Sequence, residues 1–161
     1  MRLLTLSALA AFVIDQASKI IVVHGLSLDT RGVIEVWPPI LVFRMGWNTG
    51  INFGLFDGGG DWMRWVLVGL ALAISAWIVL WARRGFARPI AQVAAGLIVG
   101  GALGNALDRV VYGAVADFLN MSCCGIQNPF AFNFADVAIF AGAVGLVIWA
   151  DSPARPGDNT S

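Results

Sequence analysis

Apolar residues run through this chain in four long stretches, 3–23, 62–81, 89–107 and 130–150, and polar residues collect at their ends. Each stretch is long enough to cross a bilayer as a helix, which takes roughly 20 residues. The first follows Met1-Arg2 and so has the outline of a secretory signal peptide. No small-residue cleavage site follows Ile14, however, and the apolar run resumes at Ile20-Ile21-Val22-Val23, so it reads as a retained span. The third carries Gly96, Gly100 and Gly104 four residues apart with Gly101 beside them. Small residues at that spacing let helices approach closely in lipid.

The connection 24–61 is too apolar for a solvated loop. Its stretch 34–43 is rich in β-formers, although Pro38-Pro39 forbids an uninterrupted ladder, which predicts a small bent sheet lying on the membrane surface. Gly54 and the run 58–60 supply turns before the second span. Arg83, Arg84 and Arg88 cluster between the second and third spans, so that connection is expected in the cytoplasm, both termini with it, and 24–61 and 108–129 outside. Trp62 and Trp65 then mark the outer interface and Trp81 the inner one. The expected fold is an all-α membrane protein of four transmembrane helices with a small extracytoplasmic β-sheet. It forms a single domain over 1–150, followed by a disordered cytoplasmic tail over 151–161 that holds two prolines and a glycine.

Composition narrows this picture. Of 161 residues 58% are hydrophobic and only 12% charged, about half the charge usual in a soluble domain. Ten basic and ten acidic residues cancel, which leaves no basic field for nucleic acid. His24 is the sole histidine, so a serine–histidine triad or a histidine metal site is disfavoured and an interfacial side chain is the better reading. Cys123-Cys124 has no histidine near it in sequence and is expected as two free thiols. No phosphate-cradling glycine motif occurs.

Polar residues at the rim of a membrane span are costly and call for a role. Asp15 and Lys19 share a helix face and can pair, either with Lys19 snorkelling outward or with Asp15 tying the first span to the third and fourth. Asn105, Asp108 and Arg109 lie on one side of the third span's outer end. An ion pair between Asp108 and Arg109 would account for two of these three. Asp136 is expected about two turns inside the fourth span, past Asn133, and Asp117 in a connection able to fold back over the same rim. Two carboxylates brought together share one proton; one can then activate a water while the other protonates a leaving amine. An ion or proton relay through Asp15, Asp108 and Asp136 is the rival, but it needs a polar path to both faces and the inner halves of the spans are apolar.

Four blocks together resemble the lipoprotein signal peptidases (signal peptidase II), bacterial membrane aspartic peptidases. They are Asp15-Gln16-Ala17-Ser18-Lys19; Asn48-Thr49-Gly50-Ile51-Asn52-Phe53-Gly54; 101–109 running on to Val115-Ala116-Asp117-Phe118; and Phe132-Asn133-Phe134-Ala135-Asp136. The resemblance covers nearly the whole chain except the tail. It implies removal of signal peptides from prolipoproteins just before a cysteine that already carries diacylglycerol. It also implies Asp117 and Asp136 as the catalytic dyad, support from Asp15, Lys19, Asn48, Gly50, Asn105, Asp108, Arg109 and Asn133, and no metal or cofactor. The expected partners are the lipid-modified precursor and membrane lipids, with the chain acting as a monomer in the bacterial inner membrane and its site near the outer face. Ile51 and Asn52 depart from the small residues usual in the family, and the two cysteines lie outside its pattern.

Overall fold

The computed structural model describes residues 1–50, 62–86 and 88–150. Five helices and three strands follow in the order α1 (Arg2–Lys19), α2 (Leu28–Arg31), β1 (Val33–Trp37), β2 (Leu41–Asn48), α3 (Trp62–Gly85), α4 (Pro89–Tyr112), β3 (Val115–Asn120) and α5 (Phe134–Trp149). A π-helical turn, Ile20–Gly25, prolongs α1. Among the described residues three helical stretches are long and apolar enough to cross a membrane: Arg2–Gly25, Trp62–Gly85 and Pro89–Tyr112. The expectations for Gly54, Ile51, Asn52, the glycine run 58–60 and the tail 151–161 lie outside the described residues.

Local chemistry sets the ends of these elements. Pro89 occupies the start of α4, where its missing N–H costs nothing, and Gly113, in the left-handed region at φ 82°, ends it. Asn133 caps α5: its side chain accepts from the Asp136 N–H, and the Asp136 carboxylate accepts from the Asn133 N–H. This corrects the fourth apolar stretch. Residues 130–133 are not helical, because Phe132 pairs with Leu119 as an extended segment beside β3. Helix α5 therefore has 16 residues, and Asp136 sits in its first turn rather than two turns deep.

Helix α4 is the hub, packed against α1, α3 and α5. Its glycines make that possible. Gly96 and Gly100 face α1 so closely that an added Cβ would strike the backbone of Leu4 or Ala8, and Gly101 lies equally close to Ala135 of α5. From the other side Gly142 of α5 abuts Ala94, whose carbonyl would be 2.5 Å from a new Cβ. Gly142→Ala should therefore destabilise the protein by about 1–3 kcal/mol. Gly69→Ala, in open space on α3, should gain up to about 1 kcal/mol from helix propensity. Thermal unfolding in micelles would read both; equal midpoints would contradict the packing.

The sheet is antiparallel in the order β1-β2-β3, with Pro38-Pro39 in the hairpin turn. Its third strand lies outside the stretch from which the small sheet was expected and is drawn from the connection between α4 and α5. Every residue of β3 is buried, since β2 pairs along one edge and Phe132 closes the other. Phe118, fully buried, packs with Val22, Val23 and Leu28, which docks the sheet onto the C-terminal end of α1 and its π-helical extension. Trp81 packs against Phe86 and the core cluster of α3, α4 and α5.

Candidate active site

Four elements bring polar side chains to the junction of sheet and helices. Strand β3 supplies Asp117, which lies opposite Gly46 of β2; Asn48 follows near the end of β2; α4 contributes Asn105, Asp108 and Arg109; the start of α5 brings Asn133 and Asp136. Asn133, fully buried, ties the two acids together. Its Nδ2 donates to Asp117 Oδ1 at 2.6 Å, while its backbone N–H donates to Asp136 Oδ2 at 3.2 Å. The second oxygen of each acid is also held: Asn48 Nδ2 donates to Asp117 Oδ2 at 3.1 Å and Asn105 Nδ2 to Asp136 Oδ1 at 3.0 Å. Four amide donors thus fix two carboxyl groups that are near enough to repel each other. Burial, and secondarily the charge of Asp136, push Asp117 up to about 6 against the opposing hydrogen bonds from Asn48 and Asn133.

Beneath the acids lies a buried ion cluster. Lys19 Nζ is 2.7 Å from Asp15 Oδ2 and 2.7 Å from Asp108 Oδ2, and all three side chains are almost wholly enclosed. The Asp15–Lys19 pair is as expected, but Lys19 turns into the bundle instead of snorkelling, and Asp108 pairs with it rather than with Arg109. Asp15 does tie the first span to the fourth apolar segment, because its Oδ1 accepts from the Ala135 N–H at 3.0 Å. Asp108 likewise holds the start of β3 by accepting from the Ala116 N–H at 3.2 Å. Gln16, present in the motif but given no role in sequence, donates to both Asp15 and Asp108.

This cluster also sets the orientation of Asn105. Its Oδ1 accepts from Lys19 Nζ at 3.3 Å and from Asn133 Nδ2 at 3.2 Å, so the amide nitrogen must face Asp136. Gly104, one residue earlier, leaves the space that Asp15 fills; a Cβ there would lie 2.7 Å from Asp15 Oδ2. A polar function of the glycine stripe was not legible from helix spacing. Arg109 is half-buried, with Nη1 donating to the Asn105 carbonyl and Nε lacking a hydrogen-bond partner among the described residues. Its charge acts on Asp117 and Asp136. Gly50, at φ 104°, passes beside Arg109 and Leu67 where any side chain would collide with Leu67. Asn48 Oδ1 accepts from the Gly50 N–H at 2.8 Å, so one amide shapes this turn and contacts Asp117.

Two kinds of space flank the acids. A cavity of about 180 Å³ reaches Asn48 and Asp117 beside Arg44 and Phe130. A groove of about 220 Å³ between α3, α4 and α5 is walled by Leu67, Ile74, Ile98 and Ile139 and ends at Asn105 and Arg109. His24 is exposed, its Nδ1 3.8 Å from Asp29 Oδ2, and takes no part in the cluster around the acids. The cysteines differ from expectation: Cys123 and Cys124 are bonded to each other in a tight turn, with Cys124 at φ 60°.

A family model described as Signal peptidase (SPase) II, peptidase family A8, matches residues 7–150. Over 157 residues the chain is 42% identical to a lipoprotein signal peptidase of Methylorubrum extorquens (strain PA1), covering 96% of this chain and 89% of that one. Over 159 residues it is 41% identical to the protein of that name in Methylobacterium radiotolerans, covering 97% and 90%. A solved structure described as a bacterial membrane enzyme superposes with TM-score 0.74 at 27% identity, covering 89% of this chain and 88% of that one.

Proposed function

We infer what this protein does from the premise that the chain belongs to the signal peptidase II family: it is an aspartic endopeptidase that removes signal peptides from lipid-modified prolipoproteins, cleaving before the lipidated cysteine. The observation that carries the site assignment is the shared tether. Asp117 and Asp136, from a strand and a helix, are both bonded to Asn133 where apolar helices meet the sheet. In our reading the two acids are the catalytic dyad. They hold a water between them; one takes its proton as the oxygen attacks the scissile carbonyl, and the other protonates the departing nitrogen. Asn48, Asn105 and Asn133 keep both carboxyl groups aimed, and the Arg109 guanidinium sets a positive charge beside them. Asp15, Lys19, Asp108 and Gly50 support this arrangement without touching the reacting atoms.

The finer topology is part of the same proposal. The 16 residues of α5 span about 24 Å, short of the roughly 30 Å hydrocarbon core. Its outward Phe140 and Val147 are among the most exposed apolar side chains in the molecule, which supports α5 as a fourth, lipid-facing crossing. Arg83 and Arg84 close α3 and Arg88 precedes α4, which supports a cytoplasmic α3–α4 connection, cytoplasmic termini, and the acids near the outer face. Residues 1–150 then act as one domain and 151–161 as a tail. Because one chain supplies both acids and all their amide partners, it works as a monomer.

Purified protein should release the signal peptide from a precursor bearing a diacylglyceryl cysteine, read by mass spectrometry of both products; no cleavage would overturn the assignment. The pH profile tests the dyad itself. A pair that needs one proton loses it as pH rises through the region near Asp117's value of about 6, so cleavage should decline on the alkaline side of that point. Asn48→Ala removes a hydrogen bond that favours the ionised form and should move this limb to higher pH. A profile flat between pH 5 and 9, roughly the range such coupled acids cover, would exclude the shared proton.

A further inference from the structure

Two cavities on the sheet share Arg44 and Pro129 in their walls. The one of about 180 Å³ reaches Asp117; the other, about 420 Å³, runs past Asn120 and Gln127 to Glu35. Adjoining at those two residues, they make a trough, more polar than the groove between the helices, that begins at an acid of the dyad and leads away from the helices. The opposite flank of the site is the apolar groove ending at Asn105 and Arg109. A polypeptide laid across the two acids therefore has one side in an apolar groove and the other in a more polar trough. A signal peptide's apolar core suits only the groove. The segment beyond the cut, which continues into water, falls in the trough.

We propose that this trough binds the first residues of the mature chain that follow the lipidated cysteine, and that Arg44 makes it selective for acidic side chains there. The proposal rests on the peptidase reading above. Its geometry is set by the sheet: Asp117 is on β3, Arg44 on β2 and Glu35 on β1, so the trough crosses three strands. Two strand spacings give about 10 Å, and the offset along β2 from Gly46, opposite Asp117, to Val42, opposite Glu35, adds about 13 Å. The diagonal is therefore on the order of 16 Å, or about five extended residues. Arg44 is exposed and ion-pairs with no described residue, so its charge is available to a substrate. An acidic side chain meets Arg44 early in the trough, and Glu35 disfavours another acid at its far end.

The test uses three lipid-modified precursors that differ only in carrying Asp, Asn or Lys at the second mature position. At low salt the unaltered protein should cleave the Asp form about fivefold more efficiently than the Lys form, the scale of one half-exposed ion pair, with Asn between. The ranking should shrink as salt is raised. Arg44→Gln should flatten the ranking and Arg44→Glu reverse it; each comparison is internal to one variant, so a reduced yield of folded protein does not blur it. Equal cleavage of all three by the unaltered protein, or an Asp preference that survives Arg44→Glu, would overturn the Arg44 assignment and leave the peptidase intact. Failure to cleave any of them would overturn both.

Discussion

Asp117→Asn and Asp136→Asn should each abolish release of the signal peptide, with a loss of about a thousandfold or more, while the protein still inserts and folds. Both replacements keep the size of the side chain and remove only the capacity to carry or give a proton. At 117 the amide would turn one nitrogen towards Asn48 or Asn133, both donors to the present carboxylate, so a local loss of about 1–2 kcal/mol is expected there. At 136 the remaining oxygen can serve Asn105 or the Asn133 N–H, but not both. Neither change reaches the buried ion cluster or the helix contacts. Because the two acids work on one water, the double variant should be no worse than the poorer single one. The measurement is cleavage of a lipid-modified precursor by purified variants whose far-ultraviolet circular dichroism matches the parent. Full activity in either single variant would remove that residue from the mechanism.

The sequence made some of this geometry legible and hid the rest for physical reasons. Hydropathy runs locate α1, α3 and α4 well, because a lipid-facing helix must be apolar over a length the bilayer sets. The β-rich stretch 34–43 announces a small bent sheet, since β-branched and aromatic residues interrupted by Pro38-Pro39 suit little else. Helix α5 was blurred because Phe130, Ala131 and Phe132 are as apolar as the helix they precede. Only the Asn133–Asp136 spacing, a capping box, marks the true start, and that signal was available. Strand β3 was harder to see, since Asp117 and Asn120 interrupt its alternation and its partner lies about 70 residues away.

Side-chain partners were the least legible layer. Asp15 with Lys19 follows from helical spacing, yet the same spacing cannot tell an outward lysine from one that also reaches Asp108 on another helix. Adjacent Asp108 and Arg109 look like an ion pair in sequence, but on a helix neighbours point about 100° apart and each finds a different companion. The role of Gln16 requires two acids from two helices to be already in place. What connects these cases is that Asn105 and Asn133 relay position. One takes its orientation from Lys19 and the other from the α5 cap, and both hand it to an acid.

That dependence leads to a second large effect, at a residue that touches neither acid. Lys19→Met should lower stability by about 3–5 kcal/mol, the cost of stripping one partner from a buried ionic cluster. Methionine fills the space of the lysine stem but leaves Asp15 and Asp108 enclosed without a cation, so at least one must take up a proton or draw in water. Asp15 would then hold Ala135 less firmly and Asp108 would loosen Ala116, the two residues that precede Asp136 and Asp117. Asn105, freed from the ammonium, could turn its amide away from Asp136, so activity per folded molecule should fall as well. Adding Asp108→Asn to Lys19→Met removes one of the two uncompensated charges and should recover part of the lost stability. The pair is therefore less than additive in a double-mutant cycle. Thermal unfolding of micelle-bound protein, followed by tryptophan fluorescence, reads the cycle directly. A Lys19→Met protein that unfolds at the parental midpoint would mean the cluster is not what joins α1 to the sheet and to α5.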